Sequence, residues 1–142
     1  MSDLRNRKHD RCVVCSPSHP LGLRVEYHVG VDGVVQAQFL CQKVFQGYPG
    51  QLHGGVVTAL LDGAITNCLF ARGIEAVSGE LTVRFLRPVA TDHIARVSAG
   101  LKKASHRLYI LEAELTQEDL TVAKATGKFV KRPAGLGGGG VA

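Results

Sequence analysis

Two stretches of this chain carry residue types and spacings that do chemistry. The first is G-Y-P-G-Q-L-H-G-G-V-V-T-A-L-L-D-G, residues 47–63. Its last part reads as the start of an apolar helix, yet it holds one acid, Asp62, which must find donors or line a cavity because a buried unpaired carboxylate is costly. Thr58, Asp62 and Thr66 are spaced by four and fall on one stripe of that helix, among Val, Ala, Leu, Ile and Phe. A narrow polar stripe suits one side facing a site; a helix break at Asp62-Gly63 or an ion pair to a surface Arg is the structural alternative. Upstream, Gly54 and Gly55 leave backbone N–H groups bare at a helix N-terminus, whose dipole favours negative charge. Such donors hold a phosphate or polarise a carbonyl as an oxyanion site, or the glycines merely permit a tight entry turn. Gly54 and Asp62 are eight residues apart, about 12 Å of helix. One ester-sized group cannot reach both in a single chain, so joint action on one substrate requires two copies.

The second stretch is His9, Cys12, Cys15 and His19, an H-x2-C-x2-C-x3-H arm. Zinc takes such ligands tetrahedrally, but a zinc site commonly joins two separated ligand pairs and this is one compact cluster. An inert arm is the preferred reading, with no metal; zinc on Cys12, Cys15, His9 and His19 is the weaker alternative and a redox pair comes third. Cys41 and Cys68 lie in apolar runs and read as small core residues.

The elements that position these groups follow from periodicity. The 142 residues make one domain with room for a core. Residues 1–20 read as an irregular arm, 21–132 as the folded domain and 133–142, P-A-G-L-G-G-G-G-V-A, as a flexible tail. Residues 23–29 alternate, with Leu23, Val25, Tyr27 and Val29 on one face, and predict a strand. A turn at 31–33 leads to a strand over 34–42, and a glycine-rich loop fills 45–55. Residues 56–71 predict a helix apolar on nearly all sides, ended at Arg72-Gly73. Strands follow over 77–88, 92–104, 107–116 and 120–132. The order β-β-α-β-β-β-β, with one apolar helix, places the chain in the α+β class with a long antiparallel sheet curled round the helix.

Net charge is +5 and the pI near 9.2, which suits an anionic partner. With no Trp and no nucleic-acid motif, nucleic acid is not expected. No apolar run reaches bilayer length and the charged N-terminus does not read as a secretory signal, so neither membrane binding nor export is expected and the location reads as cytoplasmic. Arg84, Arg87, Lys102, Lys103, His106 and Arg107 are candidates for a phosphate-rich ligand, although any one of them alone fits a solvated surface.

G-Y-P-G-Q-L-H-G-G-V-V-T-A-L-L-D-G-A, followed by S-G-E-L-T-V-R-F-L-R-P-V and preceded by C-V-V-C-S-P-S-H-P-L-G-L, resembles the hotdog-fold acyl-CoA thioesterases of the PaaI-like, phenylacetate-pathway type over roughly residues 12–131. The resemblance implies a curved sheet around a central helix and hydrolysis of an acyl-CoA thioester. It implies that the Gly54 amide polarises the carbonyl, that His53 orients the loop, and that Asp62 acts as nucleophile or as general base on water. Ser78 matches a position that helps place the attacking water. Many relatives carry Asn or Gln six residues before the histidine; here that residue is Gly47, and Gln46 is the substitute. Relatives often have Glu after the acid, where this chain has Gly63. Gly55, Thr66, Arg84, Arg87 and Arg107 are assigned to substrate binding, and Leu61, Ile65, Leu69 and Phe70 to the acyl pocket. No cofactor is implied, coenzyme A being part of the substrate. Asp62 of one subunit facing Gly54 of its partner implies a homodimer at least, with a homotetramer as a dimer of dimers. The rival readings are an acyl-thioester dehydratase or hydratase and a non-catalytic acyl-CoA-binding module.

Overall fold

The computed structural model describes residues 8–132; residues 1–7 of the expected arm and the expected tail 133–142 lie outside them. The elements are β1 (His28–Val29), β2 (Val35–Leu40), a 3-10 turn (Lys43–Phe45), α1 (Gly54–Ala71), β3 (Ala76–Phe85), β4 (Ile94–Ala104), β5 (Leu108–Gln117) and β6 (Leu120–Lys131). The strands form one antiparallel sheet in the order β1-β2-β4-β5-β6-β3. α1 touches β2, β3, β4, β5 and β6, so among the described residues the sheet curls round this one helix as expected.

α1 is 18 residues long. By length and composition it could cross a bilayer, a length the sequence reading did not grant it. Here its apolar residues find the sheet instead: Leu60, Leu61, Ala64, Ile65 and Cys68 are fully buried against Val35, Val97, Leu111, Leu115 and Phe129. That burial of apolar area is the main term holding sheet to helix. The helix ends where expected. Gly73 takes a φ of 72°, and its N–H and that of Ile74 return to the carbonyls of Phe70 and Leu69.

The first strand is the main correction. Burial alternates as the sequence predicts, with Val25 and Tyr27 buried between exposed Arg24, Glu26 and His28, but only His28–Val29 pairs with the sheet. Residues 23–25 bond instead to the arm: the N–H groups of Leu23 and Val25 donate to the carbonyls of Val13 and Val14 at 2.8 Å each. Arg24 also takes a φ of 55°, which interrupts an extended run. The described part of the arm is thereby hydrogen-bonded to the start of the folded domain at Val13 and Val14. The two sheet edges differ in consequence. β1 offers two residues, whereas β3 presents a ten-residue outer edge that has no strand beside it among the described residues.

Candidate active site

The helix entry sorts its own donors. His53 is the N-cap, in extended conformation, and its Nδ1 accepts from Gly55 N–H at 2.8 Å. Its carbonyl accepts from Val56 and Val57 N–H at 2.9 and 3.0 Å. The Val57 bond is the first regular turn of the helix; of the four amides that a helix start leaves over, His53 N–H finds Phe45 O at 2.9 Å and those of Gly55 and Val56 find His53, so that Gly54 N–H alone has no partner among the described residues. With Nδ1 accepting, the neutral ring carries its proton on Nε2. Space alone does not demand glycine at 54: a Cβ there would meet the Phe85 ring at 3.5 Å, an ordinary contact.

Gly54 opens into a cavity of about 670 Å³ walled by Tyr48, His53, Val57, Phe85 and Arg87 among others. The loop that shapes it is closed by backbone bridges Gln46 to Leu52 and Gln51 to Ala90, and by Gln46, whose Oε1 accepts from Gly50 N–H at 3.1 Å. Gln46 thus holds the loop. Tyr48 and Phe85 are 80% and 58% exposed, an unusual exposure for aromatic rings that flank a polar donor.

Asp62 lies two turns further on, on a half-buried face of α1. Ser78 Oγ donates to its Oδ1 at 3.0 Å. Ser78 reaches it from β3, where a bulge between Ser78 and Glu80 breaks the register with β6. Burial pushes the Asp62 carboxyl above its ordinary 3.8; the Ser78 hydrogen bond pulls it back, negative charge at Cys12 raises it and His9 lowers it. Thr58 and Thr66 share the stripe as the spacing predicts, all three half-buried, but both hydroxyls donate back along the helix, to Gly54 O and Asp62 O at 2.9 Å.

Behind Asp62 sits a group the sequence reading did not connect with it. Tyr27, 1% exposed, donates from Oη to Leu60 O at 3.0 Å. A Cβ on Gly63 would fall 2.5 Å from that hydroxyl and 2.8 Å from Val14 Cγ1. Gly63 is therefore required by the close approach of Tyr27 and the arm. Only the alternation through Val25 and Tyr27 hinted at an inward tyrosine, and nothing local named its target.

Three of the four residues of the arm cluster come together. Donor atoms of His9, Cys12 and Cys15 lie within 4.8 Å of one another. His19 stays outside, its Nδ1 accepting from Leu21 N–H at 3.1 Å. The Cys12 thiol is held well below its usual range, first by a hydrogen bond from Cys15 and then by His9 and by the N–H groups of Cys15 and Val14, with burial opposing.

Two expectations move. Leu61, Ile65 and Leu69 are 0–1% exposed and fill the core under the sheet, and Phe70, 2% exposed, packs against His9 of the arm; the apolar wall near Gly54 comes from Leu52, Val57, Phe85, Leu86 and Val89 instead. The basic residues do not form one cluster. Arg84 and Arg87 lie at the Gly54 end, whereas Arg107 precedes Leu108, which is linked through Val130 to Val77. From Val77 to Arg84 is seven residues of β3, about 23 Å, so Lys102, Lys103, His106 and Arg107 stand at the opposite end.

Comparison with known proteins agrees with this architecture. A protein of 31% identity over 88 residues is the acyl-coenzyme A thioesterase THEM4 of Bos taurus; the match covers 61% of this chain and 36% of that one. This chain thus spans little more than a third of the length of the curated relatives it matches. The PaaI protein of the E. coli phenylacetic acid degradation operon superposes with a TM-score of 0.73 at 20% identity, covering 78% of this chain and 81% of that one. A hypothetical thioesterase of Streptococcus pneumoniae, solved with coenzyme A, gives 0.71 at 18% identity, covering 76% and 85%. Residues 49–124, more than half of the chain and the stretch from the Gly54 loop through most of the sheet, match the thioesterase superfamily, and the chain belongs to that superfamily.

Proposed function

We propose that the protein is an acyl-CoA thioesterase whose site is completed by two copies of the chain, with the Gly54 amide of one polarising the thioester carbonyl and Asp62 of the other supplying the carboxylate. The observation that carries this reading is the sorting of donors at the helix entry. His53 occupies the Gly55 amide, and Gly54, on a cavity wall, keeps an N–H with no partner among the described residues, the arrangement that stabilises a developing oxyanion.

Asp62 takes one of two roles. As nucleophile it forms a mixed anhydride and expels the coenzyme A thiolate, and water then cleaves the anhydride. As general base it takes a proton from water, the hydroxide adds to the carbonyl, and collapse releases the thiolate. Either role requires the ionised carboxylate, and the Ser78 hydrogen bond favours that form.

Two copies are needed because the helix fixes Gly54 and Asp62 about 12 Å apart. The bare edge of β3 supports such an assembly, since a long unpaired edge invites another strand. Antiparallel pairing of two β3 strands would bring the Phe85 end of one chain beside the Ser78 end of the other. Gly54 would then face the partner's Asp62, and Arg84 and Arg87 would join the partner's Arg107 around the coenzyme's phosphates. Further pairing of such dimers into a tetramer belongs to the same reading.

Thiol release across a panel of acyl-CoAs tests it. The wild-type chain should hydrolyse some of them, and Asp62→Asn should lower kcat by about 10²–10⁴-fold while sedimenting as the same oligomer. Turnover at the wild-type rate in Asp62→Asn sinks the assignment. A chain that binds acyl-CoA without releasing thiol is a binding module instead.

A further inference from the structure

We propose that His9 Nδ1, Cys12 Sγ and Cys15 Sγ form a zinc site that clamps the N-terminal arm to the turn of α1 bearing Asp62, a proposal independent of the thioesterase reading. Tetrahedral zinc with bonds of about 2.3 Å to sulfur and 2.0 Å to nitrogen separates its ligand atoms by about 3.5–3.8 Å. Cys15 Sγ and His9 Nδ1 already stand 3.7 Å apart, and all three donors lie within 4.8 Å. Little movement is needed to close them round one ion.

The surroundings are those of a thiolate ligand. The N–H groups of Val14 and Cys15 point at Cys12 Sγ, at 3.4 and 3.5 Å, and stabilise sulfur in its anionic, metal-binding form. The C-x2-C segment is a wound turn, with Ser16 N–H donating to Cys12 O at 3.0 Å and Cys12 N–H to His9 O at 3.3 Å. That turn sets both sulfurs on one side. The His9 ring is fixed by an edge contact with Phe70 of α1, centroids 4.7 Å apart at 76°. Ligand orientation of this kind is what a metal site takes from its supporting groups.

His19 completes the H-C-C-H spacing in sequence but is turned away to the Leu21 amide. Three protein ligands leave the fourth tetrahedral position to water. The mechanical consequence lies in the arm's contacts: Val14 packs over Gly63, Val13 and Val14 bond to residues 23 and 25, and His9 rests on Phe70. A metal here braces the arm against α1 from Gly63, the residue after Asp62, to Phe70.

The test uses the full chain, purified without a histidine tag under reducing conditions. Metal analysis should give about one zinc per chain. Cobalt(II) titrated into metal-stripped wild-type protein should give thiolate-to-metal charge-transfer absorption, and zinc should abolish it. Cys12→Ser and His9→Ala should lose the zinc and the absorption, whereas His19→Ala should keep both. Stripping the metal should lower Tm by several degrees, and added zinc should restore it. The wild-type protein alone decides if a variant does not fold: no charge-transfer absorption overturns the site, as does a Cys12–Cys15 disulfide in place of two titratable thiols. Loss of metal in His19→Ala overturns the ligand set.

Discussion

The reading of Gly54 as the carbonyl-polarising donor can be tested by deleting one hydrogen. Gly54 is the first residue of α1, the one helical position where proline fits because the amide there has no intrahelical partner. The preceding residue must then be extended, and His53 already is, at φ −61° and ψ 136°. A Cβ at position 54 meets Phe85 at 3.5 Å, an ordinary contact. Gly54→Pro therefore removes the unpaired N–H without disturbing the cap on Gly55, and restricting a glycine raises stability by about 0.4–1 kcal/mol through the unfolded state. Loss of one oxyanion donor lowers kcat by about 10²–10³-fold, or 2.7–4 kcal/mol. Gly54→Ala keeps the amide and separates its loss from the effect of added bulk. Thiol release and thermal melting of the three proteins are compared at one protein concentration. The expected result is a proline variant as stable as wild type or more so, with kcat reduced at least a hundredfold and KM within a few-fold, and an alanine variant within tenfold of wild type. Wild-type kcat in Gly54→Pro would refute the oxyanion role, and equal losses in both variants would assign the effect to crowding by the side chain.

Three further outcomes follow from the same geometry. Gly63→Ala gains about 1 kcal/mol of helix propensity but drives a methyl into Tyr27 Oη and Val14, so urea unfolding should show a net loss of about 1–5 kcal/mol from overpacking and a broken buried hydrogen bond; the loss should shrink in the Tyr27→Phe background, and equal losses in both backgrounds would show the tyrosine is not the obstacle. Ser78→Ala withdraws the bond that favours ionised Asp62 while burial continues to disfavour it, so the acid limb of kcat/KM should move to higher pH; an unmoved limb would show that Ser78 does not touch the working carboxylate. Because the folded-state pKa of Asp62 is raised, its share of stability is present below about pH 4 and is lost as pH rises through the folded value; Asp62→Asn should therefore unfold at higher urea than wild type at pH 7, with the gap closing as pH falls towards 4.

How much of this was legible in the sequence depends on how local each signal was. The helix and its C-terminal glycine, the four long strands and the inward Cys41 and Cys68 follow from periodicity and turn chemistry within a dozen residues, and they stand where expected. The strand at 23–29 failed because its burial pattern was right and its partner was not. Alternation says which side chains go inward, but the backbone of residues 23–25 found the arm at Val13 and Val14, and no pattern in the segment itself records that choice. The acyl-pocket residues failed for a related reason. On a helix apolar all round, the sequence cannot say which apolar stripe meets the sheet, and Leu61, Ile65, Leu69 and Phe70 meet it or the arm. Gly63 was visible as a possible helix break and as a departure from the expected Glu, and its cause, Tyr27, lies 36 residues away in the chain.

The same contrast bears on why the proposed site divides between two ends of one helix. Gly54 and Asp62 are fixed by one rigid helix, so their separation could be read from the sequence and no side-chain motion shortens it. The groups that make each end specific were named by the family resemblance and not by periodicity. His53 selects Gly54 by occupying the neighbouring amide, and Ser78 selects the ionised form of Asp62 from a bulge in β3. Both selectors are hydrogen-bonding side chains at irregular points, a cap and a bulge, where periodicity carries no information. β3 joins the two ends physically: Phe85 closes over Gly54 at one end and Ser78 holds Asp62 at the other, along the strand whose outer edge is bare. A second copy pairing on that edge would shift both half-sites together. Substitutions that weaken such pairing, such as Thr82→Pro on β3, should therefore lower activity and oligomer stability in parallel. Full activity in a monomer would show that one chain suffices.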